Sequence, residues 1–288
     1  MTTNSDGQPD ETGRMPLDLV LVRHGESEGN LAREASKRGD RSLMTGEFLA
    51  RPASSWRLTP EGRDQAAAAG RWLRLWMQRE QVQRFDRYYC SPLVRTMETA
   101  ALLEVPGAAW QLEPLLRERD FGLWEGFDPE ETAARYSRST EQKQRDRFLW
   151  RPECGESTPD VDMRAREMFA TFARELSGRR VICVTHEDVM LAVRFRLEKM
   201  TIPEWLALDD DHSQKIVNCG ILHYTRRCPK THEVDTKFGW VRRIAPSDGD
   251  PDPPWSAIER PRFTDQQLLD LIEEGLAPVK DLPTGPAV

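Results

Sequence analysis

The sequence lacks the features that would place this 288-residue chain in a membrane or on nucleic acid. No apolar run approaches the ~20 residues that a membrane-spanning helix needs, and the polar stretch 1–14 lacks the apolar core of a signal peptide. The formal net charge is −7, whereas nucleic acid and anionic lipid favour a basic chain. We therefore predict a cytoplasmic protein with neither a nucleic-acid partner nor a membrane partner.

Cysteine is scarce and is not arranged for metal or redox chemistry. The five cysteines are odd in number and scattered, and no Cys-x-x-Cys pair occurs. His186 is followed by a glutamate, but Met190 stands where a zinc-binding helix motif would carry its second histidine. We predict reduced thiols, no metal site and no cofactor. No pattern in the sequence indicates a particular oligomeric state.

Strands and helices are predicted to alternate along most of the chain. Five apolar or β-branched runs predict strands at 17–22, 87–90, 178–185, 217–224 and 238–244. Helices are predicted from the Thr59-Pro60 start to about residue 79 and from about residue 93 to residue 103. Such alternation favours the α/β class, with a three-layer α/β/α sandwich and a largely parallel central sheet.

The two ends of the chain differ in composition from its middle. Residues 1–15 are polar and predict a disordered leader. Proline, aspartate and glycine dominate from about residue 246, and this tail (246–288) contains one amphipathic helix that Thr264 caps and Gly275 ends. The main domain is thus predicted to span 16–245, and the tail is expected to pack on it or on a partner.

Basic side chains and histidines stand where predicted strands end or helices begin. Arg23 and His24 follow the first strand, His186 follows the strand at 178–185, and Arg95 opens a helix. In an open α/β sheet, the residues just past the carboxyl ends of the strands line the ligand crevice. An imidazole there is available as a nucleophile, and a guanidinium suits a phosphoryl oxygen.

Each candidate also has an ordinary structural explanation. Arg95 alone is more often a surface ion pair, and His186 at the end of an apolar run is compatible with a hydrogen-bonded core histidine. Glu118 stands between Arg117 and Arg119, so a solvated charge cluster is a fair alternative for it. The combination, rather than any single residue, favours a functional site.

A series of short motifs makes the chain resemble the histidine phosphatase superfamily, specifically its branch 1 phosphatases, which have the phosphoglycerate mutase-like fold. The resemblance extends from residue 17 to about residue 225. The motifs, in chain order, are Arg23-His24-Gly25-Glu26-Ser27 with Asn30, Leu58-Thr59 with Gly62 and Gln65-Ala66, Ser91-Pro92-Leu93 with Arg95 and Thr99-Ala100, Glu118 with Phe121-Gly122, Gly155-Glu156-Ser157, and Thr185-His186.

This resemblance implies phosphoryl transfer through a covalent intermediate. Neutral His24 would attack phosphorus in line and become phosphohistidine. Arg23, Arg95 and His186 would neutralise the equatorial oxygens, and Asn30 would add a hydrogen bond. In phosphoryl transfer most of the catalysis is positioning and electrostatic stabilisation of this kind, so no metal is required.

The proton donor has two candidates. The resemblance implies that Glu118 protonates the leaving oxygen and then deprotonates water, and burial beside an anion should raise its pKa. Most relatives carry glycine after the second histidine, whereas here Glu187 follows it. In the acid-phosphatase branch a carboxylate at that place donates the proton, but that branch has arginine and proline where this chain has Ser27 and Glu28. We take Glu118 as the acid and Glu187 as its rival.

Three functions are compatible with these motifs. The main prediction is a metal-independent phosphomonoesterase that acts on a small phosphorylated metabolite. The alternative is a cofactor-dependent phosphoglycerate mutase, but segment 142–157 has arginines without the proline run of such relatives. The third is a non-catalytic phosphate-binding or regulatory module, against which the complete set of site residues argues. Stretches 31–56 and 125–155 are expected to shape the pocket, and Arg57 is a candidate for binding the rest of the substrate.

Overall fold

A computed structural model describes residues 15–126, 129–211, 214–249 and 252–275 of the chain. Of the predicted leader, only Met15 falls in these ranges, and the predicted tail is described as far as residue 275. Within the same ranges, no helix combines the length and the apolar character that crossing a membrane requires.

The central sheet of the described chain has seven strands: β1 Asp18–Arg23, β2 Arg87–Cys90, β3 Trp110–Leu112, β4 Arg180–Thr185, β5 Ile221–Thr225, β6 Trp240–Ile244 and β7 Ser256–Ala257. Their order across the sheet is β3-β2-β4-β1-β5-β6-β7. The first four in this order are parallel, whereas β5, β6 and β7 each run antiparallel to the preceding neighbour. The predicted α/β class with a largely parallel sheet is confirmed.

The described ranges contain ten α-helices: α1 Glu28–Lys37, α2 Gly46–Ala50, α3 Pro60–Arg79, α4 Val94–Leu102, α5 Pro129–Arg135, α6 Ser137–Arg145, α7 Thr158–Glu175, α8 Glu187–Leu197, α9 Ile202–Asp210 and α10 Asp265–Gly275. Helix α3 begins where the sequence predicts, because the Thr59 hydroxyl accepts a hydrogen bond from the backbone N–H of Gly62 at 3.0 Å. The predicted tail helix is α10, and its apolar side chains are exposed.

The three layers follow from burial of both faces of the sheet. Along β1, Leu19 and Leu21 join a core cluster with side chains of α7 and α8, while Val20 and Val22 join a second cluster with side chains of α3 and α4. All four side chains are fully buried. A parallel strand covered on both faces is expected to be a continuous apolar run, which is what the sequence shows.

The clearest differences from the predicted strands are at β5 and in the tail. Strand β5 begins at Ile221 rather than at residue 217, because residues 217–220 form a turn in which the N–H of Gly220 donates to the carbonyl oxygen of Val217 at 2.8 Å. The tail contributes β7, which pairs with β6. Trp255, just before β7, lies 4.4 Å from the guanidinium carbon of Arg242, measured to the ring centroid.

Two glycines allow the loop after β1 to lie directly against the first turn of α3. A Cβ on Gly25 would lie 2.3 Å from the carbonyl oxygen of Gly62, and a Cβ on Gly62 would lie 2.0 Å from that of Glu26. The backbone N–H of Thr59 donates to the same Glu26 oxygen at 3.0 Å. This close approach fixes the backbone on the C-terminal side of His24.

We expect Gly62→Ala to lower the free energy of unfolding by about 1–3 kcal/mol or more, because the added methyl group must push the loop and the helix apart. Urea denaturation measures the change. Gly46→Ala is the matched control, since a Cβ there has no heavy atom within 4 Å, and its effect should stay within about 0.5 kcal/mol. Equal destabilisation by both substitutions would contradict the close-contact explanation.

Candidate active site

The carboxyl ends of β2, β4 and β1 bring three polar side chains to one edge of the sheet. Ser91, His186 and His24 each follow the last residue of their strand. The backbone N–H of His24 donates to the carbonyl oxygen of Thr185 at 3.0 Å, and that of Ser91 donates to the carbonyl oxygen of Val184 at 2.9 Å. These residues therefore lie side by side where the sequence predicts a ligand crevice.

The guanidinium of Arg95 lies between the two imidazoles. Its Nε is 3.2 Å from Nε2 of His24, its Nη2 is 3.2 Å from Nδ1 of His186, and its Nη1 donates to the carbonyl oxygen of Ala53 at 2.9 Å. Burial lowers the pKa of Arg95, but a guanidinium keeps its proton in proteins. Arg95 is thus a buried cation at the site and not the surface ion pair that a lone helix arginine suggests.

His24 is neutral, and the lone pair of its Nε2 accepts from Nε of Arg95. Its Nδ1 lies 2.7 Å from the carbonyl oxygen of Gly25, and because a carbonyl oxygen only accepts, the ring proton is on Nδ1. Burial lowers the pKa of His24 well below its usual value, and the charges of Arg95 and Arg23 lower it further. The unprotonated Nε2 has the electronic state that a nucleophile needs.

His186 is fully buried and has the opposite tautomer. Its Nδ1 accepts from Arg95, so its Nε2 carries the proton and donates to Oγ of Ser91 at 2.9 Å. Burial lowers the pKa of His186 well below its usual value, and the charge of Arg95 adds to the effect. The ring centroids of His186 and His24 are 5.1 Å apart. His186 is therefore a buried, hydrogen-bonded histidine, and its ring also lies next to that of His24.

The surroundings of Glu118 favour its protonated form. Its Oε2 lies 3.7 Å from Nδ1 of His186, and its Oε1 accepts from the backbone N–H of Arg119 at 3.0 Å. Burial raises the pKa of this carboxyl to about 8, and the nearby charge of Asp188 raises it while that of Arg95 opposes the shift. Glu118 can therefore donate a proton, as the sequence predicts for the acid.

The rival carboxylate, Glu187, is engaged with Arg23. The Nη2 of Arg23 lies 2.9 Å from Oε2 of Glu187, and its Nη1 donates to the carbonyl oxygen of Ile216. Burial raises the pKa of Glu187, and the charge of Arg23 opposes this. The buried Nε of Arg23 has no hydrogen-bond partner among the described residues, so an anion that reached it would satisfy a buried donor.

Asn30 lies at the site together with a residue that the sequence analysis missed, Asn218. Oδ1 of Asn30 accepts from the backbone N–H of Ser27 at 3.2 Å and from Nδ2 of Asn218 at 3.3 Å. The same Nδ2 donates to the carbonyl oxygen of His24 at 3.0 Å. Asn218 escaped the sequence analysis because its turn was assigned to a strand.

Arg57 is not brought to the site. Its Nε donates to Oε1 of Glu98 at 2.8 Å, and its side chain is 60% exposed. Arg57 is absent from the described wall of the cavity next to His24, whereas Arg33 is part of that wall. The structure therefore places Arg57 outside the cavity where it was expected to meet the substrate, because a carboxylate on α4 holds its charge at the surface.

Three motif residues outside the cavity hold the loop that carries the nucleophile. The backbone N–H of Gly25 donates to Oγ1 of Thr99 at 3.0 Å. The backbone N–H of Glu26 donates to Oε1 of Gln65 at 2.9 Å, and the Glu26 carboxylate accepts from Oγ1 of Thr59 at 2.7 Å. These contacts explain the motif positions as supports for His24 rather than as contacts to a ligand.

The site opens into a cavity of about 320 Å³, which we call the phosphate cavity. Five guanidinium groups and five carboxyl groups contribute to its described wall: Arg23, Arg33, Arg95, Arg117, Arg119, Glu118, Asp120, Glu125, Glu187 and Asp188. His24 and Asn30 also belong to this wall. The wall is therefore mixed in charge, and the guanidinium of Arg95 is in contact with the His24 ring.

The group formed by His24, Glu118 and His186 also has the composition of a metal site, since its ligand atoms lie within 4.8 Å of one another. Both imidazole nitrogens that would bind an ion, however, already accept from Arg95 at 3.2 Å. A metal ion there would meet the positive charge of the guanidinium. These residues fit an anion better than a cation.

The sheet and this site together define a phosphoryl-transfer enzyme. The particular family is given by a family model, "Histidine phosphatase superfamily (branch 1)", which matches residues 19–230. The chain belongs to that superfamily, and the resemblance seen in the sequence is confirmed.

Similar proteins include both mutases and phosphatases. The chain is 33% identical over 193 residues to a 2,3-bisphosphoglycerate-dependent phosphoglycerate mutase of Methylorubrum populi, a match that covers 64% of this chain and 80% of that protein. It resembles a solved mycobacterial glucosyl-3-phosphoglycerate phosphatase with a TM-score of 0.54 and 25% identity over 72% of this chain and 92% of the other. The α-ribazole phosphatase of Shigella flexneri shares the fold, with a TM-score of 0.57 and 20% identity over 77% of this chain and 98% of the other.

Glu118→Gln tests whether the proton on this carboxyl is used. For an alkyl phosphate, whose leaving oxygen needs a proton, we expect kcat to fall by about 10²–10⁴-fold. The wild-type rate with this ester should decline above about pH 8, because the carboxyl loses its proton there, and the variant should lack that decline. Steady-state rates across pH measure both effects.

Glu187→Gln is the matched control for this experiment, because it removes a neighbouring carboxylate that is paired with Arg23. We expect a smaller loss of kcat and an unchanged decline at high pH. A larger loss in Glu187→Gln than in Glu118→Gln would show that Glu187 is the proton donor.

Proposed function

We propose that this protein is a metal-independent phosphomonoesterase that hydrolyses its substrate through a phosphohistidine on His24. The observation that carries the proposal is the presence of His24 and Glu118 in the wall of one cavity. The ring proton of His24 is on Nδ1, which leaves Nε2 unprotonated, and the pKa of the Glu118 carboxyl is raised by burial. A nucleophile and an acid in these states are what the first step requires.

In the first step, Nε2 of His24 attacks phosphorus while the bond from phosphorus to the ester oxygen breaks. Glu118 gives its proton to that oxygen, so that the alcohol leaves neutral. The donated hydrogen bond from Nδ1 to the Gly25 carbonyl stabilises the ring as it gains positive character. The products of this step are the alcohol and a phosphoryl group on His24.

Charge on the transferred oxygens is stabilised by the groups already at the site. Arg95 stands 3.2 Å from the attacking nitrogen, so its guanidinium lies beside the place that phosphorus must occupy. Arg23 brings a buried N–H without a partner among the described residues. His186 stays neutral and acts through Arg95, because its Nδ1 accepts from Nη2 of Arg95 and so holds the guanidinium beside His24.

In the second step, Glu118 works in the opposite direction. As a carboxylate it takes a proton from water, and the water oxygen attacks phosphorus while the bond to Nε2 breaks. Inorganic phosphate leaves, and both His24 and Glu118 return to their starting protonation states. A pKa near neutrality suits a group that must give and then take a proton in one cycle.

Phosphoglycerate mutase is the second candidate, because relatives such as the Methylorubrum populi protein have that name. A mutase must hold a bisphosphoglycerate, which carries two phosphates and a carboxylate. With Glu118 protonated, four carboxylates face five guanidinium groups in the described cavity wall, so the wall offers only a small excess of positive charge to such a ligand. This balance supports a substrate with one phosphate and transfer to water.

Incubation with 3-phosphoglycerate, with and without 2,3-bisphosphoglycerate, separates the two functions, and p-nitrophenyl phosphate serves as a general ester. We expect release of inorganic phosphate from the aryl ester without any primer and little formation of 2-phosphoglycerate. Arg57→Gln should retain this activity, because Arg57 lies outside the cavity wall. Primer-dependent formation of 2-phosphoglycerate with little phosphate release would establish the mutase instead.

A further inference from the structure

A second cavity, which we call the apolar chamber, adjoins the phosphate cavity. It measures about 270 Å³. The two cavities share five wall residues: Gly29, Arg33, Trp56, Phe121 and Glu125. A molecule whose phosphate lies beside His24 can therefore extend into the chamber without leaving the protein.

Aromatic rings held by packing form much of the chamber wall. Phe48 and Trp56 stack with their centroids 4.9 Å apart at an angle of 11°, and a Cβ on Gly29 would lie 2.2 Å from the Trp56 ring. On the other side, Trp124 packs against Trp150 with a centroid distance of 4.6 Å. Because each ring is fixed by a neighbour, the chamber is formed before a ligand enters.

The positive groups at the chamber have partners of their own. Nζ of Lys37 lies 2.7 Å from a carboxylate oxygen of Glu34. Nζ of Lys143 lies 5.5 Å from the centroid of the Trp124 ring, and the guanidinium carbon of Arg33 lies 5.7 Å from that of Phe121. Two of these three cations lie over aromatic faces, and most of the wall surface that a ligand meets is apolar.

The chamber is built by parts of the chain that do not perform the chemistry. Its walls come from α1, α2 and the residues before α3 on one side, and from residues within 121–126 and 132–143 on the other. These parts largely coincide with the stretches 31–56 and 125–155 that the sequence analysis expected to shape the pocket. The substrate specificity of this protein can therefore differ from that of relatives with the same catalytic motifs.

We propose that the apolar chamber binds the alcohol part of the substrate, and that this substrate is the phosphate monoester of an apolar, ring-containing alcohol. The inference rests on the proposed phosphomonoesterase function. A cavity of about 150 Å³ suffices for a benzene ring, so the chamber has room for such a ring together with its substituents. A short hydrophilic molecule such as glycerol phosphate or phosphoglycerate leaves it unfilled.

Benzyl phosphate and glycerol 3-phosphate provide the substrate comparison, because both release a primary alcohol and differ mainly in the apolar ring. We expect kcat/KM for benzyl phosphate to exceed that for glycerol 3-phosphate by about tenfold or more, since burial of a ring is favourable. Equal values, or a preference for glycerol 3-phosphate, would overturn the proposal.

Ser36→Phe tests the chamber itself. Ser36 belongs to the wall, and its buried hydroxyl has no hydrogen-bond partner among the described residues, so the substitution fills space without removing a described hydrogen bond. We expect the preference for benzyl phosphate to fall by about tenfold. Ser42→Phe, at an exposed serine outside both walls, is the matched control and should keep the preference. An unchanged preference in Ser36→Phe, with thermal unfolding like that of the wild type, would contradict the assignment.

Binding of phosphonates separates failure of this inference from failure of the proposed function. Benzylphosphonate and methylphosphonate are not hydrolysed, and calorimetry measures their Kd directly. Absence of ester hydrolysis would refute the phosphomonoesterase, yet tighter binding of benzylphosphonate to the wild type than to Ser36→Phe would still support the chamber. Equal binding of the two phosphonates to the wild type would refute the chamber even if esters are hydrolysed.

Discussion

The site depends on one buried interaction, the position of the Arg95 guanidinium between the imidazoles of His24 and His186. Its charge reinforces burial in keeping both rings neutral, and its two N–H groups select the nitrogen that accepts in each ring. This arrangement buries a cation between two neutral rings, which is unfavourable without a compensating negative charge. An entering phosphoryl group supplies the missing negative charge and can take over the guanidinium N–H that Nε2 of His24 accepts, so the arrangement favours an anion beside the nucleophile.

Different parts of the structure hold the nucleophile and shape the rest of the cavity. The sheet edge holds His24 and His186 side by side, and the close contact between Gly25 and Gly62 fixes the loop that carries the nucleophile. The chemistry at phosphorus thus rests on packed backbone. The part of the cavity that meets the rest of a ligand is built by separate segments around α1, α2, α5 and α6, which can vary without disturbing the chemistry.

Much of this was predictable, and the exceptions have physical reasons. Strand β1 was predictable because burial on both faces requires a continuous apolar run. The start of β5 was not, because residues 217–220 look like a strand but fold as a turn that brings Asn218 to His24. The side chain of Arg57 is held at the surface by Glu98, which is distant in sequence, so no local pattern could indicate its position. The apolar chamber was not predictable either, because it forms only where two segments that are separate in sequence pack together.

The central claim is that His24 carries the phosphoryl group, and the most direct measurement is the site of covalent labelling. Rapid quenching after mixing with a ³²P-labelled phosphate ester, followed by peptide mapping, locates the label. The account predicts a label that survives alkali, is lost in acid, maps to the peptide containing His24 and is missing in His24→Ala. Hydrolysis that proceeds in His24→Ala, or a label on any other residue, would contradict it.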